Sequence, residues 1–159
     1  MVAYTDGACK NNPGPGGWGC VFYSSEDNNA EIGYVYGGKK HTTNNEMELT
    51  AMLKCLKKLP AVTNGYRIKI CSDSMYVLKG LVNTGNGSPG KTMTGWAKQW
   101  KVGGWKKPPK NNKLWQELCS TYEECYANKI YIEFFWVKGH SKDIGNDRAD
   151  ELANMGVNI

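Results

Sequence analysis

Four acidic residues occupy positions where a carboxylate is costly unless something compensates its charge. They stand inside the first predicted strand, beside the apolar stripe of the first long helix, at the end of the fourth strand and on the last helix: Asp6, Glu48, Asp73 and Asp150. Carboxylates that converge repel one another and are best explained by divalent cations. Oxygen ligands without clustered His or Cys favour Mg²⁺, with Mn²⁺ able to substitute. Two such ions could clamp an in-line phosphodiester displacement.

Each of these acids also has a structural alternative when it is taken singly. Asp73, for example, precedes Ser74 and could cap a helix. Spacing alone does not bring the four carboxylates together. Their joint role therefore depends on the elements that position them.

The first forty residues are typical of β structure. Residues 2–8, 18–24 and 32–38 have the composition of strands, and the Asn, Pro and Gly-rich run at 11–17 is a dense turn signal. A second, polar turn is predicted at 26–29. Three consecutive strands joined in this way predict an antiparallel meander.

A helical period follows over residues 43–59. The apolar positions that define its buried stripe are Leu49, Met52, Leu53, Leu56 and Leu59. Thr42 or Thr43 can cap the helix start, with Glu46 placed to complete a capping box if Thr43 is the cap. We expect Pro60 to end the helix.

The second half alternates strands and helices. We predict a strand at 67–73, a short helix at 74–82, a flexible loop at 83–94, a helical turn at 96–100, a long helix from 111 or 112 to about 128, a strand at 130–137 and a helix at 146–155. Helical crossovers make the later strands parallel to their neighbours. The predicted fold class is α/β, with a mixed five-stranded sheet flanked by helices.

Composition restricts the function further. The 159 residues suit one domain, 1–159, and neither a membrane span nor a signal peptide is expected. Six scattered cysteines without a C-x-x-C pair argue against zinc and favour buried free thiols in a cytoplasmic protein. The net charge is +5, but residues 74–116 hold eight lysines and no acid, which leaves the rest at −3. One basic segment on an otherwise acidic chain indicates a polyanionic partner.

Four motifs, in order, resemble those of type I ribonuclease H. They are Tyr4-Thr5-Asp6-Gly7 with the following Asn12-Pro13-Gly14 turn, Thr43-Asn44-Asn45-Glu46-Met47-Glu48-Leu49, Ser72-Asp73-Ser74, and Lys138-Gly139-His140 with Asn146-Asp147-Arg148-Ala149-Asp150. The resemblance spans residue 1 to about 156. It implies the ribonuclease H fold and endonucleolytic hydrolysis of the RNA strand of RNA–DNA hybrids, giving 5′-phosphate and 3′-hydroxyl ends.

The same resemblance assigns roles to particular residues. Asp6, Glu48, Asp73 and Asp150 match the family's metal-binding carboxylates, and the resemblance implies two Mg²⁺ ions per active site when substrate is bound. Glu48 takes this role rather than Glu46. Asp147 is an auxiliary acid near the metals, and His140 resembles a mobile catalytic histidine that assists proton transfer or product departure.

Hybrid recognition is expected on two surfaces. The first, which reads the 2′-hydroxyl and a phosphate, consists of Cys9, Asn12, Thr43, Asn44 and Asn45, with Met75 replacing the amide that is common in the family. The second is a basic protrusion at about 94–113 that grips the DNA strand, carried by Trp96, Trp100, Lys101, Trp105, Lys106 and Lys107. Turn and cap formation is the alternative for the asparagines. Core packing is the alternative for the tryptophans and the preferred one for Trp115.

Two rival functions remain open from the sequence. One is a catalytically silent hybrid-binding module on the same fold, and the other is a related nuclease that acts on DNA. Clustered repulsive acids argue against the first, and the Asn44-Asn45 pair with the basic segment argues against the second. We expect a monomer without an obligate protein partner and, because the chain starts at the first strand, no separate hybrid-binding domain.

Overall fold

A computed structural model of the chain describes residues 1–26, 29–63, 67–106, 110–139 and 143–159. Its strands are β1 (Val2–Cys9), β2 (Gly14–Tyr23), β3 (Glu31–Thr42), β4 (Arg67–Ser72) and β5 (Tyr131–Trp136). Its helices are α1 (Asn44–Val62), α2 (Met75–Leu81), α3 (Trp96–Val102), α4 (Asn112–Ala127) and α5 (Ile144–Val157). In the described residues no helix is long and apolar enough to cross a membrane.

The five strands form one mixed sheet in the order β3-β2-β1-β4-β5. β1 pairs antiparallel with β2, and β2 pairs antiparallel with β3, which confirms the predicted meander. β4 lies parallel to both β1 and β5, as the helical crossovers predict. The α/β fold class is therefore confirmed.

The main core lies between the sheet and helices α1, α2 and α4. The predicted stripe of α1 is buried throughout, and Trp115 of α4 is fully buried, so its core role is confirmed. Helix α5 covers the opposite face, where Ala149 and Leu152 pack with Val21. All six cysteines are free thiols, and five of them are buried.

The glycine-rich run at 11–17 is only partly a turn. β2 begins at Gly14, four residues earlier than predicted, and Gly16 and Gly17 pair with β1. A Cβ atom at Gly17 would lie 2.0 Å from the carbonyl oxygen of Ala153 on α5. The glycines are therefore strand residues over which a helix packs closely. β3 is also longer than predicted, at Glu31–Thr42.

Pro60 does not end α1, because the helix continues to Val62. Proline lacks the N–H that would bond to the carbonyl of Leu56. The thiol of Cys125 on α4 donates to that carbonyl instead, at 3.7 Å. A contact from a distant helix thus compensates the bond that proline removes.

Residues 83–94 form a loop, as predicted, and several contacts join this loop to the rest of the fold. Gly87 forms an antiparallel bridge with Phe134 of β5, and Met93 is buried in the core. The hydroxyl of Tyr122 donates to the carbonyl of Gly90 at 2.6 Å. These partners lie far away in sequence, so the composition of the loop does not predict the contacts.

Candidate active site

Three of the four predicted carboxylates meet where β1, β4 and α1 come together. Asp6 follows Thr5, which pairs with Ser72 across the parallel strands, so Asp73 emerges beside Asp6. Glu48 lies in the early turns of α1. A Cβ atom at Gly7 would lie 2.5 Å from the backbone nitrogen of Glu48, so glycine allows the helix to approach the strand.

The carboxylates are close together and shielded from water. One oxygen from each of Asp6, Glu48 and Asp73 lies within 4.8 Å of the others. Asp6 is 5% exposed and Glu48 is 6% exposed, while Asp73 is half-buried. This is a compact ligand set made only of oxygen donors.

Burial and mutual repulsion change the acidity of this group. Burial first, and then the charge of Asp73, raises the pKa of Asp6 to about 8. Burial and the charges of Asp6 and Asp73 raise the pKa of Glu48 well above its ordinary value. Asp6 and Glu48 therefore resist ionisation unless positive charge is nearby. The cluster therefore fits a hard divalent cation, which compensates the charge and prefers oxygen ligands.

Asp150 approaches the cluster from α5. Its carboxylate lies close enough to that of Asp6 to raise the pKa of Asp6 further, after burial and the charge of Asp73. Asp150 lies outside the group of three whose oxygens meet within 4.8 Å. Asp147 is exposed in the first turn of α5 and is likewise outside that group.

His140 lies outside the described residues. The neighbouring described residue, Gly139, lies against the cluster, because a Cβ atom there would be 2.9 Å from Oδ2 of Asp73. The segment that follows β5 thus passes next to the Asp73 carboxylate at Gly139.

The structural alternative for Asp73, a helix cap, is not what the structure contains. The side chain of Ser74 caps α2 by accepting from the N–H of Val77 at 3.3 Å. The backbone N–H of Ser74 donates to the Ser72 hydroxyl at 3.0 Å. Asp73 is left to face Asp6 and Glu48.

The first predicted recognition surface comes together at the start of α1. The N–H of Asn44 donates to Oδ1 of Asn12 at 2.9 Å, which joins the β1–β2 turn to the helix start. The thiol of Cys9 donates to the carbonyl of Thr42 at 3.3 Å. Asn45 is exposed beside them. Turn and cap contacts therefore hold this surface together while leaving polar groups at its face.

Thr43 is the cap of α1, and the predicted capping box forms only in part. Its hydroxyl accepts from the N–H of Glu46 at 3.2 Å. The carboxylate of Glu46 turns to the Thr42 hydroxyl and to Lys39, 2.7 Å away, instead of returning to the cap. Glu46 is thus a structural residue, in contrast to Glu48.

The basic segment is built around tryptophans whose rings meet edge-to-face or at a tilt. Trp100 lies 5.2 Å from the buried Trp115 and 6.4 Å from Trp105, measured between ring centroids. Trp96 is 43% exposed at the start of α3. Trp100 and Trp105 are partly buried and pack against the core, whereas Trp96 is exposed to solvent.

The charged residues of this segment differ in their surroundings. The ammonium of Lys101 lies 2.6 Å from a carboxylate oxygen of Glu123, whereas Lys106 is exposed. Lys107 lies outside the described residues. Met75, at the start of α2, is 36% exposed, and its thioether lies near Gly85.

Some residues near the site were not singled out from the sequence. Asp143 caps α5 by accepting from the N–H groups of Gly145 and Asn146, at 3.0 and 3.2 Å, so the helix starts at Ile144 rather than 146. An Asp before a helical stretch is the signal that could have located it. The indole of Trp136 donates to the carbonyl of Asp73 at 3.2 Å, and no sequence signal indicates that contact.

Comparison with known proteins agrees with this fold and shows the family. The family model for RNase H matches residues 1–158. Curated relatives include the Ribonuclease H of Nitrosomonas eutropha, 41% identical over 97% of this chain and 87% of the relative. The Ribonuclease H of Francisella tularensis subsp. novicida is 42% identical over 99% of this chain and 90% of the relative. This chain belongs to the ribonuclease H family and is an enzyme of that class.

Solved structures give the same result. LC9-RNase H1, described as a type 1 RNase H with the type 2 active-site motif, is 26% identical with a TM-score of 0.76, over 99% of this chain and 71% of that one. LC11-RNase H1, solved in complex with an RNA/DNA hybrid, is 21% identical with a TM-score of 0.65, over 99% and 96% of the two chains. At 21% identity, the similarity to LC11-RNase H1 shows only that the two chains share a fold.

Proposed function

We propose that this enzyme cuts the RNA strand of RNA–DNA hybrids endonucleolytically and leaves 5′-phosphate and 3′-hydroxyl ends. The observation that carries the proposal is the meeting of Asp6, Glu48 and Asp73 within 4.8 Å in a shielded site. Membership of the ribonuclease H family and the hybrid complex of a protein with the same fold support the substrate class.

Asp6, Glu48, Asp73 and Asp150 would hold two Mg²⁺ ions, with Mn²⁺ as a substitute. Bound there, such cations supply a more acidic water and charge stabilisation at the attacked phosphate. The protein holds the carboxylates in place before substrate arrives, since Gly7 and the β1–β4 pairing set their spacing. Asp147 would add negative charge nearby, and His140 would carry a proton or help the product leave.

Substrate recognition would use the two surfaces described above. Cys9, Asn12, Thr43, Asn44 and Asn45 form a polar surface next to the carboxylates, suited to 2′-hydroxyl and phosphate groups. Met75 would pack against a sugar or base there. The basic protrusion would contact the DNA strand through Trp96, Trp100, Trp105, Lys101, Lys106 and Lys107.

We also propose a monomer made of one catalytic domain at 1–159 with the protrusion at about 94–113. The family match over 1–158 supports the single domain. The five buried free thiols suit a reducing compartment, and we place the enzyme in the cytoplasm on that ground.

One assay tests the proposal. A hybrid labelled on its RNA strand is incubated with the enzyme and Mg²⁺, beside duplex DNA, duplex RNA and each single strand. We expect cleavage of the hybrid RNA only, with 5′-phosphate ends. Absence of RNA cleavage by the wild-type enzyme would contradict the proposed activity, and equal cleavage of duplex DNA would contradict the proposed substrate.

The variant Asp73→Asn separates catalysis from binding. It should abolish turnover while hybrid binding in EDTA stays close to that of the wild type, since the amide keeps the shape but loses the charge. If the chain were a binding module without catalytic activity, neither the wild type nor Asp73→Asn would cleave the hybrid. Full activity of Asp73→Asn would show that its ligand role is wrong.

A further inference from the structure

The segment between α2 and α3 lies along the outer edge of β5. The N–H of Gly87 donates to the carbonyl of Phe134 at 2.8 Å, and the N–H of Phe134 donates to the carbonyl of Gly87 at 2.9 Å. β5 is the last strand of the sheet, so this bridge covers part of an otherwise open edge. The segment therefore holds β5, and the last residue of β5 contacts Asp73.

Asn86 extends this contact to the end of the strand. Its side-chain oxygen accepts from the backbone N–H of Trp136 at 2.9 Å. Its own carbonyl accepts from the Thr84 hydroxyl at 2.8 Å. The residues on either side, Gly85 and Gly87, have φ values of +83° and +108°, which L side chains rarely adopt. Asn86 is therefore held in a defined position by a turn that requires glycine.

Trp136 connects this turn to the active site. Its indole N–H donates to the carbonyl of Asp73 at 3.2 Å. The next residue, Val137, donates its N–H to the carbonyl of Ser72 at 2.9 Å. The end of β5 thus binds two consecutive carbonyls at the point where the chain leaves β4 and presents the Asp73 carboxylate.

We propose that Asn86 and Trp136 are positioning residues for Asp73, so that the segment at 83–94 helps to set the geometry of the metal site. The inference rests on the proposed metal role of Asp73. Metal and catalytic sites require their ligands within about 0.5 Å of the productive geometry. The carbonyl that accepts from Trp136 belongs to Asp73 itself. Loss of this hydrogen bond would therefore free the backbone from which the Asp73 carboxylate extends.

The test begins with Trp136→Phe, which removes the indole N–H but keeps an aromatic ring and the backbone bond to Asn86. We expect the Mg²⁺ concentration for half-maximal cleavage to rise about three- to tenfold. A change of this size corresponds to the loss of one ordinary hydrogen bond. The KM for the hybrid should stay unchanged. Without hybrid, the Mg²⁺-induced rise in Tm should shrink.

Asn86→Ala should change the Mg²⁺ requirement in the same direction. The double variant should show less than the sum of the two effects, because both residues act through one series of contacts. Tyr131→Phe is the matched control for the ring, since Tyr131 is a 40% exposed aromatic at the other end of β5. Asn83→Ala is the control for the loop. Both controls should keep the wild-type Mg²⁺ requirement.

A second measurement keeps the inference separate from the proposed activity. In metal-free protein, the backbone amide resonances of Asp73 and Ser74 should shift in Trp136→Phe and stay in place in Tyr131→Phe. Unshifted resonances would overturn the positioning role even if the wild type cleaves hybrids. A raised KM with an unchanged Mg²⁺ requirement would also overturn it, since the indole would then contact the hybrid. Shifted resonances in a chain that cleaves no hybrid would leave the positioning contact standing and contradict the activity alone.

Discussion

The carboxylate cluster and the basic segment are positioned by different means. The carboxylates extend from backbone that is paired or closely packed, with β1 against β4 and α1 against Gly7. The basic segment is joined to α2 by backbone bonds at its start, from Thr94 and Gly95 to the carbonyl of Leu81. Beyond that point the rings of Trp100, Trp105 and Trp115 hold it. Backbone contacts restrict a carboxylate to a narrow range of positions, whereas the packed rings support a surface on which Lys101 and Lys106 are exposed.

This difference agrees with the function proposed for each region, which is metal binding for the carboxylates and contact with the DNA strand for the basic segment. Metal chemistry depends steeply on distance, and the cluster concentrates repulsive charge that only a bound cation relieves. Phosphate contacts depend on the number of charges and are screened by salt. Substitutions in the two regions should therefore have effects of different size and on different measurements.

After Asp73→Asn, the largest effect should come from Glu48→Gln. We expect cleavage to fall by about 10³-fold, because a lost ligand removes several kcal/mol of transition-state stabilisation. Glu46→Gln is the matched control on the same helix, and its carboxylate binds Lys39 and Thr42 rather than the cluster. Single-turnover cleavage of a labelled hybrid measures both variants. Similar losses in the two would contradict the assignment of Glu48.

Trp100→Ala should be the most destabilising change in the basic segment. Its ring lies 5.2 Å from that of the fully buried Trp115, so truncation opens a cavity beside the core. We expect the free energy of unfolding to fall by about 2–3 kcal/mol, below the range for a fully buried tryptophan. Trp96→Ala, at a 43% exposed ring, should leave stability nearly unchanged and weaken hybrid binding. Urea denaturation and hybrid titration separate the two, and equal destabilisation would contradict the distinction.

The sequence predicts the parts of this fold that depend on local pattern. The apolar period of α1 identifies its buried face, and the alternation of elements predicts the mixed sheet. The motif frames identify Glu48 rather than Glu46 as a candidate ligand, and the structure places Glu48 alone of the two in the cluster.

What the sequence does not predict depends on distant partners. The glycines before Trp18 have the composition of a turn, yet α5 packs over them in β2. Pro60 stays within α1 because Cys125 takes up the carbonyl of Leu56. The contact between Trp136 and Asp73 joins the end of β5 to the residue after β4, and the two are far apart in sequence. Local propensity carries no information about such contacts.

Asp6→Asn should stabilise the metal-free enzyme. The pKa of Asp6 is raised to about 8 in the folded protein, against about 3.9 in an unfolded chain. Below about pH 4 the carboxyl is protonated in both the folded and the unfolded state, so its raised pKa does not affect the free energy of unfolding. As pH rises from about 4 to 8, the raised pKa destabilises the folded state increasingly. We expect a gain of about 1–3 kcal/mol at pH 8, of the order of one charge pair at short range, and little gain at pH 4.

Thermal unfolding in EDTA at several pH values measures this effect. Glu133→Gln, at an exposed acid of β5, is the control and should show no such pH dependence. Saturating Mg²⁺ should reduce or reverse the advantage of Asp6→Asn, because only the wild type retains the full ligand set. A gain that is equal at pH 4 and pH 8 would contradict charge repulsion as its source.

The smallest effect should come from single lysines of the basic segment. Lys106 is exposed, so Lys106→Ala should weaken hybrid binding about two- to fivefold at low salt and reduce the salt dependence by about one phosphate contact. Lys101 is already neutralised by Glu123 at 2.6 Å, so Lys101→Ala should have a smaller effect. Both variants should keep the wild-type kcat at saturating hybrid, since neither touches the carboxylates. If Lys101→Ala weakens binding more than Lys106→Ala, Lys101 must exchange Glu123 for a phosphate when hybrid binds, and the protrusion is rearranged by its substrate.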